Sequence, residues 1–182
     1  MKTSKIILLT SSFLIIFLVQ NVNAQWKTMD WETNNISFKI PETFTIKQND
    51  GNVFTASGGS LVITIRVSES SEYIDSKALN LKAVKEINCT DTAIIKGEYN
   101  YDQGGLFGYE SYYDAKQNGY KMKMIIAGYK DINSNKKYVV EILYWDDPAT
   151  NDTNYSSGLE MLRSITLLNY DESEDDDYYD YF

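Results

Sequence analysis

Four carboxylates beside alternating apolar runs, Glu110, Glu141, Asp146 and Asp147, are the sequence's material for acid–base chemistry. Glycoside cleavage takes two carboxyl groups facing each other across a bond, one kept protonated by its surroundings. These four converge only if their strands are neighbours. Glu141 alternates with apolar residues, the usual setting of a strand carboxylate that is solvated or paired. The chain contains no histidine, which excludes Ser-His-Asp and Cys-His activation and any zinc site built on imidazole. A Ser-Lys pair is the nucleophilic arrangement left open. No Walker-type loop is present, and Gly58-Gly59 and Gly104-Gly105 read as turn glycines. No residue is therefore assigned a catalytic role.

Asp131-Ile132-Asn133-Ser134-Asn135 begins like a calcium loop, with oxygen ligands at alternate positions. The pattern then fails, because Lys136 stands where the loop needs Gly and Ile142 where it needs a bidentate Glu. The segment reads as a turn without metal, and the sequence implies neither a metal site nor a cofactor. Tyrosine is the more telling residue, 15 in all, with Tyr99, Tyr101, Tyr109, Tyr112 and Tyr113 on two adjoining apolar runs. Tyr joins a large apolar ring to a polar tip, which suits a platform for a glycan or a protein; cross-strand packing uses the same residues. At Trp145-Asp146-Asp147-Pro148 an aromatic and two acids leave an apolar run together. Tyr109, Trp145, Asp146 and Asp147 are accordingly the ligand-binding candidates.

Positive and negative charge are unevenly spread. The net charge is −9, and the last twelve residues, Asp171 to Phe182, hold seven acids and four aromatics. Such a like-charged run cannot collapse at neutral pH and reads as a disordered tail. Phosphate backbones are gripped through clustered Lys and Arg, which this chain lacks, so nucleic acid is not an expected partner. At the other end, Lys2 and Lys5, the apolar run Ile6 to Val19 and Val22-Asn23-Ala24 form a secretory signal pattern over residues 1–24. The apolar run is short for the ~20 residues of a membrane span. The expected location is periplasmic or extracellular, with no stable membrane span after cleavage. The one cysteine, Cys89, has no partner for an internal disulfide, so stability must come from a packed core.

Residues 25–170 read as one domain. The clearest element is the hairpin Gly119 to Trp145. Tyr120, Met122, Met124 and Ile126 alternate with lysines, giving one core face and one wet face. Tyr138 to Trp145 is apolar on both faces and belongs inside a sheet under helical cover. Asp131 to Asn135 supplies the turn. Ahead of it, Gln25 to Thr33 reads as an irregular or partly paired lead-in. Ile36–Ile40, Phe44–Lys47, Val53–Ala56 and Leu61–Val67 follow as four short strands, with Asp50-Gly51 turning the second into the third. A helix is predicted from Ser70 or Ser71 to about Ile87, its core stripe formed by Ile74, Ala78, Leu81, Val84 and Ile87. Ala93–Tyr101 and Leu106–Ala115 form another hairpin. A second helix is predicted from Asp152 or Thr153, with Tyr155, Leu159, Leu162 and Ile165 or Thr166 on one stripe and Gly158 costing about 1 kcal/mol relative to Ala.

Strand runs broken by two helices and joined by hairpins imply an α+β fold, an antiparallel sheet of about six to eight strands with two helices packed on it. Ile36-Ser37-Phe38-Lys39-Ile40-Pro41-Glu42-Thr43-Phe44 resembles the F-x-x-P-x-x-[FW] opening of the PsbP-like superfamily, which includes DcrB-type exported proteins. Met161-Leu162-Arg163-Ser164-Ile165 is similar to its closing helix. The resemblance implies an accessory or binding module and carries over no functional residue. It also leaves the acidic tail unaccounted for. The leading expectation is an exported, non-enzymatic domain that engages a protein or surface polymer. Two others stand beside it: a carboxylate-dependent hydrolase of extracellular polysaccharide, and a structural or chaperone-like protein acting through its tail.

Overall fold

A computed structural model describes residues 25–69, 75–100 and 103–170. The export signal of residues 1–24, Ser70 and Ser71, and the acidic tail 171–182 lie outside the described residues; the first helix is capped by Asp75, whose Oδ1 accepts from Ala78 N–H at 2.8 Å, and not by either serine. The chain runs through β1 (Trp26–Trp31), a single 3-10 turn, β2 (Ile36–Pro41), β3 (Thr45–Asn49), β4 (Val53–Gly58) and β5 (Leu61–Glu69). Helix α1 (Ser76–Glu86) follows, then β6 (Thr90–Asn100), β7 (Leu106–Gln117), β8 (Tyr120–Asp131) and β9 (Lys136–Trp145). Helix α2 (Asn151–Arg163) and the short β10 (Thr166–Leu167) close it. Seven strands form one sheet in the order β3-β4-β5-β9-β8-β7-β6, and β1, β2 and β10 form a second sheet of three strands. Every pairing is antiparallel.

Local chemistry explains the hairpins. Asp50 accepts hydrogen bonds from the backbone N–H of Asn52 and Val53, both at 2.9 Å, and so closes the turn before β4. The Asp131 carboxylate accepts from Asn133 N–H at 2.8 Å and from the Ser134 hydroxyl at 2.5 Å, which builds the β8–β9 turn. β9 is the middle strand of seven, as its two apolar faces require.

Successive residues of a strand point to opposite faces, so the register assigns every side chain. The row Phe54, Ile65, Val140, Ala127, Glu110 and Glu98 lies on one face. Its neighbour, Thr55, Thr64, Glu141, Ile126, Ser111 and Gly97, lies on the other. The first face is covered by the three-stranded sheet and α2. Phe38, Ile36 and Ile40 of β2 and Met161 and Leu162 of α2 meet Phe54, Ile63, Val140 and Ile142 there. Phe38 meets Phe54 edge to face, at 4.8 Å between centroids. The second face is covered by α1, whose Ala83 joins Tyr113, Met122, Met124 and Ile126. Each such side chain fully withdrawn from water contributes about 1.5–3 kcal/mol.

Four expectations are corrected. The lead-in is a strand, because Trp26 to Trp31 pairs with the whole of β2. β8 is not wet on one side: Ile125, Ala127 and Tyr129 are buried opposite Met124 and Ile126, since α2 and the small sheet cover the first face as α1 covers the second. α1 turns a different side inward. Leu79, Asn80 and Ala83 are buried while Ala78 and Leu81 are exposed, because the buried amide of Asn80 anchors the helix. Its Nδ2 donates to the carbonyls of Ile126 (2.6 Å) and Tyr109 (3.2 Å), and its Oδ1 accepts from the Ser111 hydroxyl (2.7 Å). Finally, Gly158 is a packing residue. A Cβ there would stand 2.9 Å from Ile125 Cδ1 and 3.1 Å from Ile142 Cγ2, so glycine is what lets α2 lie close on the sheet. Gly128 does the same under α1, where a Cβ would come within 2.5 Å of the Ser76 carbonyl oxygen.

A tyrosine cleft beside helix α2 as candidate functional site

α2 lies over β9 and β8, with Gly158 seated on Ile142 and Ile125. Toward β7 and β6 the same face is left with a cleft of about 300 Å³, at the small end of the ~300–1,000 Å³ range of ligand pockets. Its floor comes from the strands: Tyr112 of β7, Lys123 of β8 and Tyr144 of β9. Register puts all three on one face, since Lys123 pairs with both Tyr144 and Asp114, two residues beyond Tyr112. The wall is the first turn of α2, Asn151, Asp152 and Tyr155. Ile95 and Lys96 of the edge strand β6 form the rim, at a bulge between Ile94 and Lys96.

The first turn of α2 is aimed by the segment that leaves β9. Asp146 N–H still bonds the Lys121 carbonyl at 3.0 Å, and the Asp147 carbonyl accepts from Thr150 and Asn151 N–H at 2.9 Å each. Asp147 Oδ1 accepts from Ala149 N–H at 2.9 Å. Asp146 Oδ1 accepts from Asn151 Nδ2 at 2.5 Å and lies 3.9 Å from Lys123 Nζ. The amide oxygen of Asn151, Oδ1, is shielded from solvent and has no hydrogen-bond partner among the described residues, a costly state that an incoming donor would relieve.

Cations in the cleft are matched by carboxylates. Lys123 Nζ donates to Asp114 Oδ1 at 2.7 Å, and this bond, outweighing partial burial, raises its pKa. Lys96 pairs with Glu98 at 2.6 Å and stands 5.9 Å from the centroid of the Tyr112 ring. Burial, then the charge of Glu110, drives the Tyr112 hydroxyl well above the ordinary phenol range. Tyr144 is pushed up to about 12, by burial first and then by Tyr155, Asp146 and Asp114. Both phenols are neutral donors at any physiological pH. The Tyr112 and Tyr155 rings stand 6.0 Å apart at 56°, and Tyr155 is 42% exposed, which leaves its ring accessible.

None of the four ligand-binding candidates lines this cleft, though two adjoin residues that do. Asp146 holds Asn151 and faces Lys123, and Asp147 shapes the turn into α2. Trp145 points to the opposite face, where it meets Tyr120 edge-on at 6.2 Å. Tyr109 is also on that opposite face, under Lys77 Nζ at 5.5 Å and against Tyr99 at 4.9 Å. Tyr109 aligns with Gly128 and Trp145 with Met122, six residues further along β8, a separation of roughly 20 Å at strand spacing. The proposed tyrosine platform divides in the same way, Tyr99 and Tyr109 on one side and Tyr112 on the other. Tyr144, Tyr155, Lys96, Lys123 and Asn151 went unseen as site residues. The parity of β7 was the available signal, because residues 109 and 112 cannot share a strand face.

Glu110 and Glu141 do not face each other across a cleft. They occupy neighbouring rows on opposite faces. Glu110 is buried and accepts from the Tyr129 hydroxyl at 2.7 Å and Asn100 Nδ2 at 3.2 Å. Glu141 is ion-paired with Arg66, which also holds Glu86 at 3.0 Å. Burial raises the Glu141 pKa against the opposing pull of Arg66. Among the described residues no helix is long and apolar enough to cross a membrane.

No family model matches the sequence, and no curated protein matches it. Solved structures share its fold. The Ran-binding protein Mog1p of Saccharomyces cerevisiae superposes with a TM-score of 0.58 at 11% identity, covering 80% of this chain and 96% of its own. LpqN of Mycobacterium tuberculosis, involved in cell envelope biogenesis, gives 0.55 at 11% identity, covering 79% of this chain and 90% of its own. The chain thus has the Mog1/PsbP-like α+β fold, two helices on an antiparallel sheet, as the sequence resemblance implied.

Proposed function

We propose that the chain is an exported binding domain that holds a protein or surface polymer in the cleft between α2 and β6–β8, without transforming it. One observation carries the reading. The exposed Tyr155 stands over a concave site, floored by the buried Tyr112 and Tyr144, whose lysines are each held by a carboxylate, a lining suited to recognition through one ring face and fixed hydrogen-bond groups. The separation of Glu110 from Glu141 onto opposite faces removes support from the hydrolase reading. The signal pattern of residues 1–24 supports export. Binding and envelope roles among proteins of this fold, Mog1p and LpqN, are compatible with the proposal.

The test is retention of envelope material by the immobilised chain, with Tyr155→Ala and Lys123→Ala beside it. Retention that falls at least about tenfold in both variants, each still folded by circular dichroism, is the expected outcome. Equal retention by all three proteins would place binding elsewhere and overturn the assignment. Eluted polymer should be unchanged in length after prolonged contact; progressive shortening would reinstate the hydrolase.

A further inference from the structure

We infer that the cleft beside α2 accommodates a neutral pyranose ring of a polysaccharide, stacked on the exposed Tyr155 and bonded to Asn151, Lys123 and Asp152. The inference rests on the binding function proposed above and specifies its ligand.

Charge narrows the class first. Lys96 and Lys123 are surrounded by Glu98, Asp114 and Asp146, each within ion-pair range of one of them, and Asp152 also lines the cleft. Four carboxylates against two ammonium groups repel an anionic sugar or a phosphate. The two ammonium groups in turn disfavour a cationic side chain. A ligand without net charge meets neither penalty, and it finds donors and acceptors side by side in fixed positions, the pattern vicinal hydroxyls satisfy because each is both donor and acceptor.

Shape and satisfaction narrow it further. Tyr155, 42% exposed, offers an apolar ring face that suits the C–H face of a sugar ring, and the buried Tyr112, 6.0 Å away between centroids and tilted by 56°, backs it from the floor. At about 300 Å³ the cleft has room for a small ring, and its open rim along the edge strand β6 leaves a path for a chain to continue. Asn151 lines this cleft with an Oδ1 that lacks any donor among the described residues, while its Nδ2 is fixed on Asp146 at 2.5 Å. The amide is therefore held in one orientation, and what it lacks is an O–H or N–H from outside the protein.

The experiment is calorimetric titration and ¹H–¹⁵N shift mapping of the folded protein with five probes. Three are neutral trisaccharides, of glucose, mannose and N-acetylglucosamine; the others are trigalacturonate and trilysine. The expected result is binding of at least one neutral trisaccharide, with shifts at Lys123, Asn151 and Tyr155, weakened about tenfold in Asn151→Ala and in Tyr155→Ala. Unfolding midpoints verify that both variants fold. Shifts at these residues with trigalacturonate or trilysine, but with no neutral sugar, would overturn the ligand class and leave the cleft as the binding site. No neutral sugar binding, together with tyrosine-dependent retention of a protein, would make the occupant a protein and likewise overturn the inference.

Discussion

Replacing Asn80 by Ala tests whether one buried amide, and not an apolar stripe, seats α1 on the sheet. Asn80 is 0% exposed, and its side chain bonds four groups: the Tyr109 and Ile126 carbonyls and the Ser111 and Tyr113 hydroxyls. The two carbonyls belong to paired strands and the Ser111 hydroxyl has a weaker alternative at the Ile126 carbonyl, 3.5 Å away, so not every loss counts in full. At about 1 kcal/mol for each of the better bonds, with a further contribution from the stranded Tyr113 hydroxyl, the loss is about 3 kcal/mol. That is a large share of the ~5–15 kcal/mol of a typical domain. Urea unfolding followed by tryptophan fluorescence should show the midpoint falling by roughly 1–3 M, for a slope of about 1–3 kcal/mol/M. Ser111→Ala in the same background should couple with Asn80→Ala by more than about 0.5 kcal/mol. A loss below about 1 kcal/mol, or strict additivity of the two changes, would refute the reasoning and return α1 to ordinary apolar packing.

Two further outcomes follow from the same geometry. Gly128→Ala should destabilise by about 2 kcal/mol or more, because its Cβ meets backbone, the Ser76 carbonyl at 2.5 Å and Asn80 N at 3.0 Å. Gly158→Ala meets only the ends of two isoleucines, so the ~1 kcal/mol gain in helix propensity offsets the contact and the net change stays within about 1 kcal/mol; comparable losses at the two sites would contradict this. For Glu141, burial holds the folded pKa above the ordinary 4.5, so its stabilising contribution is complete below 4.5 and is lost as pH rises through the folded value. Glu141→Gln should therefore gain on the parent protein as pH rises from about 4 to about 7 in parallel unfolding titrations; a difference that is flat or of opposite sign would mean the Arg66 pair outweighs burial.

The sheet was legible in the sequence where the side-chain period was unambiguous. The double-faced apolar run Tyr138 to Trp145 is the central strand, and Asp50-Gly51 is the turn it reads as. Reading failed where tertiary contact overrode the local pattern. Trp26 to Trp31 carries no clean alternation, yet it pairs along all of β2 because that strand's edge needs a partner. α1 offered Ala78 and Leu81 as core, but Gly128 and the Asn80 bonds favour the neighbouring face. At the proposed site, Trp145-Asp146-Asp147-Pro148 is the segment that aims α2, with Asp146 bonded to Asn151 of the cleft wall. The cleft itself depends on which strand lies beside which, and Tyr112, Lys123 and Tyr144 sit far apart along the chain with no local mark of their meeting.

The central claim is that this chain binds through the face beside α2. Shift mapping of the ¹⁵N-labelled protein, titrated with the envelope fraction it retains, tests it most directly. The account predicts perturbations gathered on Lys96, Tyr112, Lys123, Asn151 and Tyr155. Perturbations gathered instead on Lys77, Tyr109, Tyr120 and Trp145, with the cleft residues unmoved, would put the binding surface on the opposite face of the sheet and contradict it.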